Sequence, residues 1–245
     1  MSQAPPPPRW LLIGNSRWHW AERAADGQLR GWDGAPGLRG EEDPPPLAWA
    51  AVGRLPDPAW APADRQVSVR DVPLSGCPPW LGVDRALAGW GAWRERQEAV
   101  LVADAGTVLS LTLVDADGRF RGGRLVAGLA LQLEAMANRT ALLPHLQARE
   151  WPAPDPGEGD WPLETAAAMG VGVETALAAA VVQAAQASGS RRLVLTGGDG
   201  WMLRRRVTDP LEELGFAVSH RPLLCLESLA ALRPEGQRLK PDPGL

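Results

Sequence analysis

Two stretches of this chain follow one pattern, and that repeat limits the fold more than any other feature. In the first stretch, the apolar run Trp10–Ile13 ends in Gly14-Asn15-Ser16. A second extended run covers Arg17–Ala21, and Asp26-Gly27 makes a hairpin turn. In the second, Val100–Ala103 has the pattern of a buried strand and Asp104-Ala105-Gly106-Thr107 a turn. Leu109, Leu111 and Leu113 then alternate with Ser110 and Thr112, and Asp117-Gly118 turns the chain again. Ser16 to Asp26 and Thr107 to Asp117 are separated by the same offset. Two copies of strand, small polar turn, strand and hairpin imply a duplicated α/β domain, with halves expected at residues 1–98 and 99–245.

The other segments are read around this frame. Residues 34–62 are dense in Pro and Gly, with a short helix expected over Leu47–Val52. Gln66–Val72 alternates like a strand. Leu87, Trp90 and Trp93 have helical spacing within Ala86–Ala99. Arg119–Leu125 is expected to be a strand, Ala130–Ala137 a helix and Leu146–Pro162 a loop. Glu164–Ala187 reads as a long Ala-rich helix, interrupted at Gly170 and Gly172. Arg192–Thr196 is a strand ending in Gly197-Gly198-Asp199-Gly200. A helix over Trp201–Leu214, a strand over Phe216–Ser219 and a helix over Glu227–Leu232 complete the reading.

Composition removes several chemistries. With 245 residues, 45% of them hydrophobic, the chain can bury one large core or two modest ones. A net charge of −4 gives no footprint for nucleic acid. Lys240 is the one lysine, so neither a Walker A loop nor a Schiff-base lysine is available in the body of the chain. Tyrosine is absent, which excludes tyrosine acids and nucleophiles. Cys77 and Cys225 are far apart, and His19, His145 and His220 are scattered, so no zinc spacing exists. No secretory pattern is present, and Thr175–Ala187 is too short and too polar, with Gln183 and Gln186, to span a bilayer. A cytoplasmic protein without membrane partners is expected.

Five places carry possible chemistry. Gly14-Asn15-Ser16 and Gly106-Thr107 offer backbone N–H groups and hydroxyls to phosphate oxygens, although each also fits an ordinary β-turn. Asp104 ends an apolar strand, where a carboxylate can hold a cation or accept local N–H groups. Asp84, in Gly82-Val83-Asp84-Arg85, can act as a general base with Arg85 fixing an anionic substrate, or merely cap the helix behind it. Gly197-Gly198-Asp199 suits a nucleotide's ribose or phosphate. Gly170-Val171-Gly172 lacks the third glycine of a dinucleotide fingerprint.

In order and spacing, several blocks together resemble the type III pantothenate kinases. They are Leu12-Ile13-Gly14-Asn15-Ser16, Gly82-Val83-Asp84-Arg85, Asp104-Ala105-Gly106-Thr107, Gly122-Gly123 with Gly128, Arg139-Thr140-Ala141-Leu142-Leu143-Pro144, Thr165 with Ala168-Met169, and Thr196-Gly197-Gly198-Asp199. The likeness runs from about Leu11 to Leu232. It implies the superfamily of acetate kinase, sugar kinases, Hsp70 and actin, with two ribonuclease-H-like (actin-like ATPase) halves. It also implies a homodimer that phosphorylates pantothenate with ATP, Mg²⁺ and a monovalent cation (K⁺ or NH₄⁺), opening coenzyme A synthesis. By resemblance Asp84 is the base, and Gly82, Val83, Arg85 and Thr165 contact substrate. Leu12, Ile13, Gly14, Asn15, Ser16, Arg17, Trp18 and His19 form the first phosphate loop. Thr107 touches ATP and Asp104 binds the monovalent cation.

Two departures stand out. The family usually carries Asp where this chain has Leu12, and a tyrosine before the Gly-x-Asp-Arg block, where Ser75 and Pro78 lie here. They motivate an alternative: a non-catalytic relative of the same fold that binds a ligand or regulates. A kinase of the same fold acting on another small hydroxyl substrate is a further alternative.

Overall fold

The computed structural model describes residues 7–35, 45–53, 62–147 and 161–235. In chain order the elements are β1 (Arg9–Ile13), β2 (Trp18–Arg23), β3 (Leu29–Gly34), β4 (Ala48–Ala51), α1 (Val83–Arg94), β5 (Val100–Ala105), β6 (Val108–Val114), β7 (Phe120–Ala127), α2 (Leu129–Arg139), α3 (Thr165–Ala187), β8 (Arg192–Thr196), α4 (Gly200–Glu213), β9 (Ala217–His220) and α5 (Leu224–Leu232).

The chain forms two compact units, residues 1–96 with 223–245 and residues 97–222. The C-terminal segment, which a boundary at residue 99 assigns to the second half, therefore packs in the first. α5 lies on α1, and Gly91 makes this possible: a Cβ there would stand 1.9 Å from Ser228 Oγ. Trp10 Nε1 donates to Arg233 O (2.9 Å), and Arg233 pairs with Asp71 (3.1 Å), which ties the returning segment to the first sheet.

The two sheets share one topology. The first runs β3-β2-β1-β4 and the second β7-β6-β5-β8-β9. In each, three strands form an antiparallel meander, and a later strand returns parallel to the first one, β4 beside β1 and β8 beside β5. This is a duplicated ribonuclease-H-like α/β fold.

Three local expectations change. Residues 48–51 form strand β4, not a helix. Alanine favours helices, but Ala48, Trp49 and Ala50 are buried in the ladder with β1, and packing overrides propensity. Gln66–Val72 is not a strand. Beyond a single bridge from Trp49 to Gln66 it makes a 3-10 turn at Val69–Asp71, closed by a Ser68–Asp71 capping box. α3 runs unbroken through Gly170 and Gly172 over 23 residues. By length and a mean hydropathy of 1.6 it could cross a bilayer. Here it is a core helix: Met169, Val173, Leu177 and Val181 pack with Leu101, Leu111 and Leu195 of the second sheet. The first core is smaller and built on tryptophan, with Trp18, Trp20 and Trp49 around Leu11 and Ile13. The Pro-rich tail at 1–6 and much of the 34–62 and 146–162 segments lie outside the described residues.

Candidate active site

The first glycine turn follows β1. Gly14 N–H donates to Arg17 O (3.0 Å), closing the chain into β2. Leu12, Ile13 and Trp18 are buried, whereas Asn15, Ser16 and Arg17 are exposed and Gly14 and His19 half-buried. The expected loop 12–19 thus separates into core anchors and an accessible turn, and only the turn with His19 presents polar groups. A Cβ on Gly14 would lie 2.9 Å from Arg17 O and 3.3 Å from His19 Nε2, so the imidazole overhangs the turn.

Gly53, just after β4, seats this turn from the other side. Its N–H donates to Ile13 O (3.2 Å), and a Cβ on it would fall 2.2 Å from Gly14 O. Sequence reasoning does not single out Gly53, one glycine among many in a Pro- and Gly-rich stretch. Its signal is positional: it follows the strand that lies parallel to β1.

The Gly82–Arg85 block opens α1 beside this region. The helix N-cap is Gly82, so Asp84 is not the cap; it sits in the first turn. Its Oδ1 accepts the Arg85 backbone N–H (2.8 Å). A Cβ on Gly82 would stand 2.5 Å from that same oxygen and 3.7 Å from Val52, whose N–H bonds to Ile13 O. Glycine at 82 is what leaves the carboxylate room, and Val52 links it to the first glycine turn. Burial pushes the Asp84 carboxyl above the usual carboxylate range, against the Arg85 N–H bond and guanidinium, which pull it down. Val83 is buried and anchors the turn. Cys225 Sγ approaches the Asp84 carbonyl at 3.6 Å.

The second unit builds the counterpart. Asp104 occupies the next-to-last position of β5, paired with Ser110 on β6 and Thr196 on β8. Gly197 follows β8 with φ of 81°, and a Cβ there would fall 2.4 Å from both Asp104 Oδ1 and Ala105 O. Asp199 N–H donates to Ala105 O (2.9 Å). The Gly106-Thr107 turn is seated by Gly128, whose N–H donates to Thr107 O (3.0 Å) and whose Cβ would fall 2.1 Å from Gly106 O. Gly128 is also the N-cap of α2. Thr165 is exposed at the start of α3, in this unit, whereas Gly82, Val83, Asp84 and Arg85 belong to the first. Among the described residues no three His, Cys, Asp or Glu side chains form a group that could hold a metal ion.

Two sheets of one topology, each with a glycine-seated turn after its first strand, define the fold of the actin-like ATPases and sugar kinases. Solved structures agree on the fold. A Campylobacter jejuni protein described as a Baf family transcriptional activator superposes with a TM-score of 0.59 at 15% identity, over 91% of this chain and 96% of that one. The activator of 2-hydroxyisocaproyl-CoA dehydratase from Clostridium difficile superposes with a TM-score of 0.52 at 14% identity, over 93% of each chain. Sequence relatives narrow the class. The family model for type III pantothenate kinase matches residues 74–187. The type III pantothenate kinase of Synechococcus elongatus is 35% identical over 224 residues, 81% of this chain and 87% of that protein. The chain belongs to the type III pantothenate kinase family.

Proposed function

We propose that the protein transfers the γ-phosphoryl group of ATP to the hydroxyl of pantothenate, giving 4'-phosphopantothenate and ADP, the first step of coenzyme A biosynthesis. The observation that carries this reading is the Asp84 carboxylate. It is held by one backbone N–H in the first turn of α1, cleared of side-chain crowding by Gly82, and raised in basicity by burial.

In this reading Asp84 accepts the hydroxyl proton as the oxygen forms its bond to phosphorus and the bond to ADP breaks. Arg85 and Thr165 orient the substrate, with the backbone at Gly82 and Val83. The Gly14–Arg17 turn, His19 and Thr107 hold ATP. Catalysis of this kind rests on positioning and charge neutralisation. Bound Mg²⁺ and a monovalent cation (K⁺ or NH₄⁺) supply part of that neutralisation. Asp104, whose carboxylate lies against the Gly197 turn, supplies an oxygen of the kind a monovalent cation needs. The enzyme works in the cytoplasm as a homodimer, to which the exposed small-residue face of α3 (Thr165, Ala168, Gly172 and Ala176) is suited.

ADP release with and without pantothenate tests the reading. Asp84→Asn keeps the shape and the Arg85 N–H bond but removes the base, and turnover is expected to fall by roughly 10²–10⁴. Unchanged turnover in a folded Asp84→Asn variant would remove Asp84 from the chemistry.

A further inference from the structure

Arg17, His19 and Asp33 form a cluster at the rim of the first glycine turn. His19 pairs with Leu12 on β1 and with Asp33 on β3, so Leu12, His19 and Asp33 occupy one row across the sheet. Residues directly opposite in a ladder point to the same face. Asp33 uses both oxygens. Oδ1 lies 2.7 Å from His19 Nδ1, and Oδ2 accepts from Arg17 Nη1 at 3.2 Å. Burial raises the Asp33 carboxyl, but the bonds and charges of His19 and Arg17 outweigh it and hold the group below the usual range. An ionised carboxylate only accepts, so His19 Nδ1 is the donor and Nε2 is the ring atom left facing Gly14.

We propose that Asp33 is a positioning residue for the nucleotide: it clamps Arg17 and His19 over the Gly14 turn, so that the Arg17 guanidinium, and His19 Nε2 when the ring is doubly protonated, are aimed at the phosphate chain of ATP. The proposal rests on the ATP site proposed above and adds a residue to it. An arriving phosphate oxygen meets the Arg17 guanidinium and His19 Nε2, which donates when the ring carries both protons. Such charge-assisted bonds need fixed side chains, and an Arg and a His at the rim of a turn are otherwise free to rotate away. The arrangement suits a loop that has no lysine and has Leu12 on its central strand. The cation supply comes from β2 and its turn, and the carboxylate that orders it comes from β3.

The test measures KM for each substrate and kcat in Asp33→Ala, Asp33→Asn and, as a surface control, Asp26→Asn. Asp33→Ala is expected to raise KM for ATP about tenfold, the scale of one lost charge-assisted bond. KM for pantothenate and kcat should stay within about twofold. Asp33→Asn keeps an acceptor for Nδ1–H and should recover part of the loss, while Asp26→Asn should match the parent. Chain-wide there are three histidines, so ¹⁵N-histidine spectra resolve His19. In the parent its Nδ1 should be fixed as protonated, and Nε2 should shift on adding a non-hydrolysable ATP analogue. In Asp33→Ala the tautomers should mix. An unchanged KM for ATP in Asp33→Ala, or an equal rise in both KM values with a lowered melting temperature, would overturn the positioning role. Gly14→Val separates that failure from failure of the ATP site. If it raises KM for ATP while Asp33→Ala does not, only the positioning role falls; if it leaves KM for ATP unchanged, the turn is not the ATP site and both fall.

Discussion

In each sheet, the row of residues that includes the one two positions before the turn glycine has the same geometry but different chemistry. In the second sheet it reads Thr196, Asp104, Ser110, Leu125, with the acid on the central strand and an apolar residue at the outer one. In the first it reads Ala50, Leu12, His19, Asp33, with the acid on the outer strand and a histidine between. The backbone device is the same in both units: a glycine after the returning parallel strand, Gly53 or Gly197, sits within Cβ-excluding distance of the turn. Duplication has kept the cradle and redistributed the charge. In the function proposed above, Arg17 and His19 would make the first turn a place for anions, and Asp104 would make the second a place for a cation. Charge at such turns is set by which strand of the row carries the acid, so it can change without disturbing the fold.

Exchanging the two central residues tests this most severely. Asp104→Leu should lower turnover by about 10²-fold, because the carboxylate proposed to hold the cation is gone. The loss should appear as insensitivity to K⁺. Leu12→Asp should do far less to rate. Leu12 is 8% exposed and neighbours His19 in the ladder, so a carboxylate there would compete with Asp33 for the imidazole. A fall in melting temperature and a modest change in the Mg²⁺ needed for half-maximal rate are expected. Equal losses from the two variants would mean that the rows are functionally equivalent after all.

The glycines behind the turns give the next effect. Gly197→Ala combines a left-handed φ with overlap on Ala105 O and Asp104, and should cost about 2–4 kcal/mol, read as a melting temperature lower by roughly 5–10 °C. Gly53→Ala overlaps the Gly14 backbone (O at 2.2 Å, C at 2.9 Å) but without a positive φ, and should cost less than Gly197→Ala while raising KM for ATP. If Gly53→Ala is the worse folder, the first turn is more rigid than the second.

Much of this architecture is legible in the amino-acid sequence. The alternation at Leu109, Leu111 and Leu113 and the turns at Asp26-Gly27 and Asp117-Gly118 are local signals, and the meanders form where they indicate. The repeat makes the duplication visible, because it compares two local patterns. The returning strands are less legible. β4 has an Ala-rich sequence whose extended form is imposed by β1, and α5 belongs to the first unit through the fit of Ser228 onto Gly91. Asp33 has no motif of its own. Its meaning comes from register, since the hairpin at Asp26-Gly27 places it opposite His19. Gly82 and Gly128 stand out as parts of blocks, but the reason for glycine there, a carboxylate at 82 and the Gly106 carbonyl at 128, is a tertiary contact.

The smallest effect separates Asp33 and Asp84, two carboxylates of the first unit that are shifted in opposite directions. Asp33 is held below the usual range, so its ionised form stabilises the fold above the ordinary carboxylate pKa, and that contribution is lost as pH falls through the lowered value. It is partly exposed, so the contribution is small. Asp84 is raised by burial, so its charge is a cost to the fold; the cost is complete above the raised pKa, shrinks as pH falls through it, and is gone once the ordinary carboxylate value is passed. Near neutral pH Asp33→Asn should therefore melt slightly below the parent and Asp84→Asn slightly above it. On acidification both differences should vanish, that of Asp84→Asn first. Melting curves of the three proteins between about pH 3 and 8 check this. If Asp84→Asn is no more stable than the parent at neutral pH, burial does not strain the carboxylate, and its basicity would then have to come from the bound substrate instead of the fold.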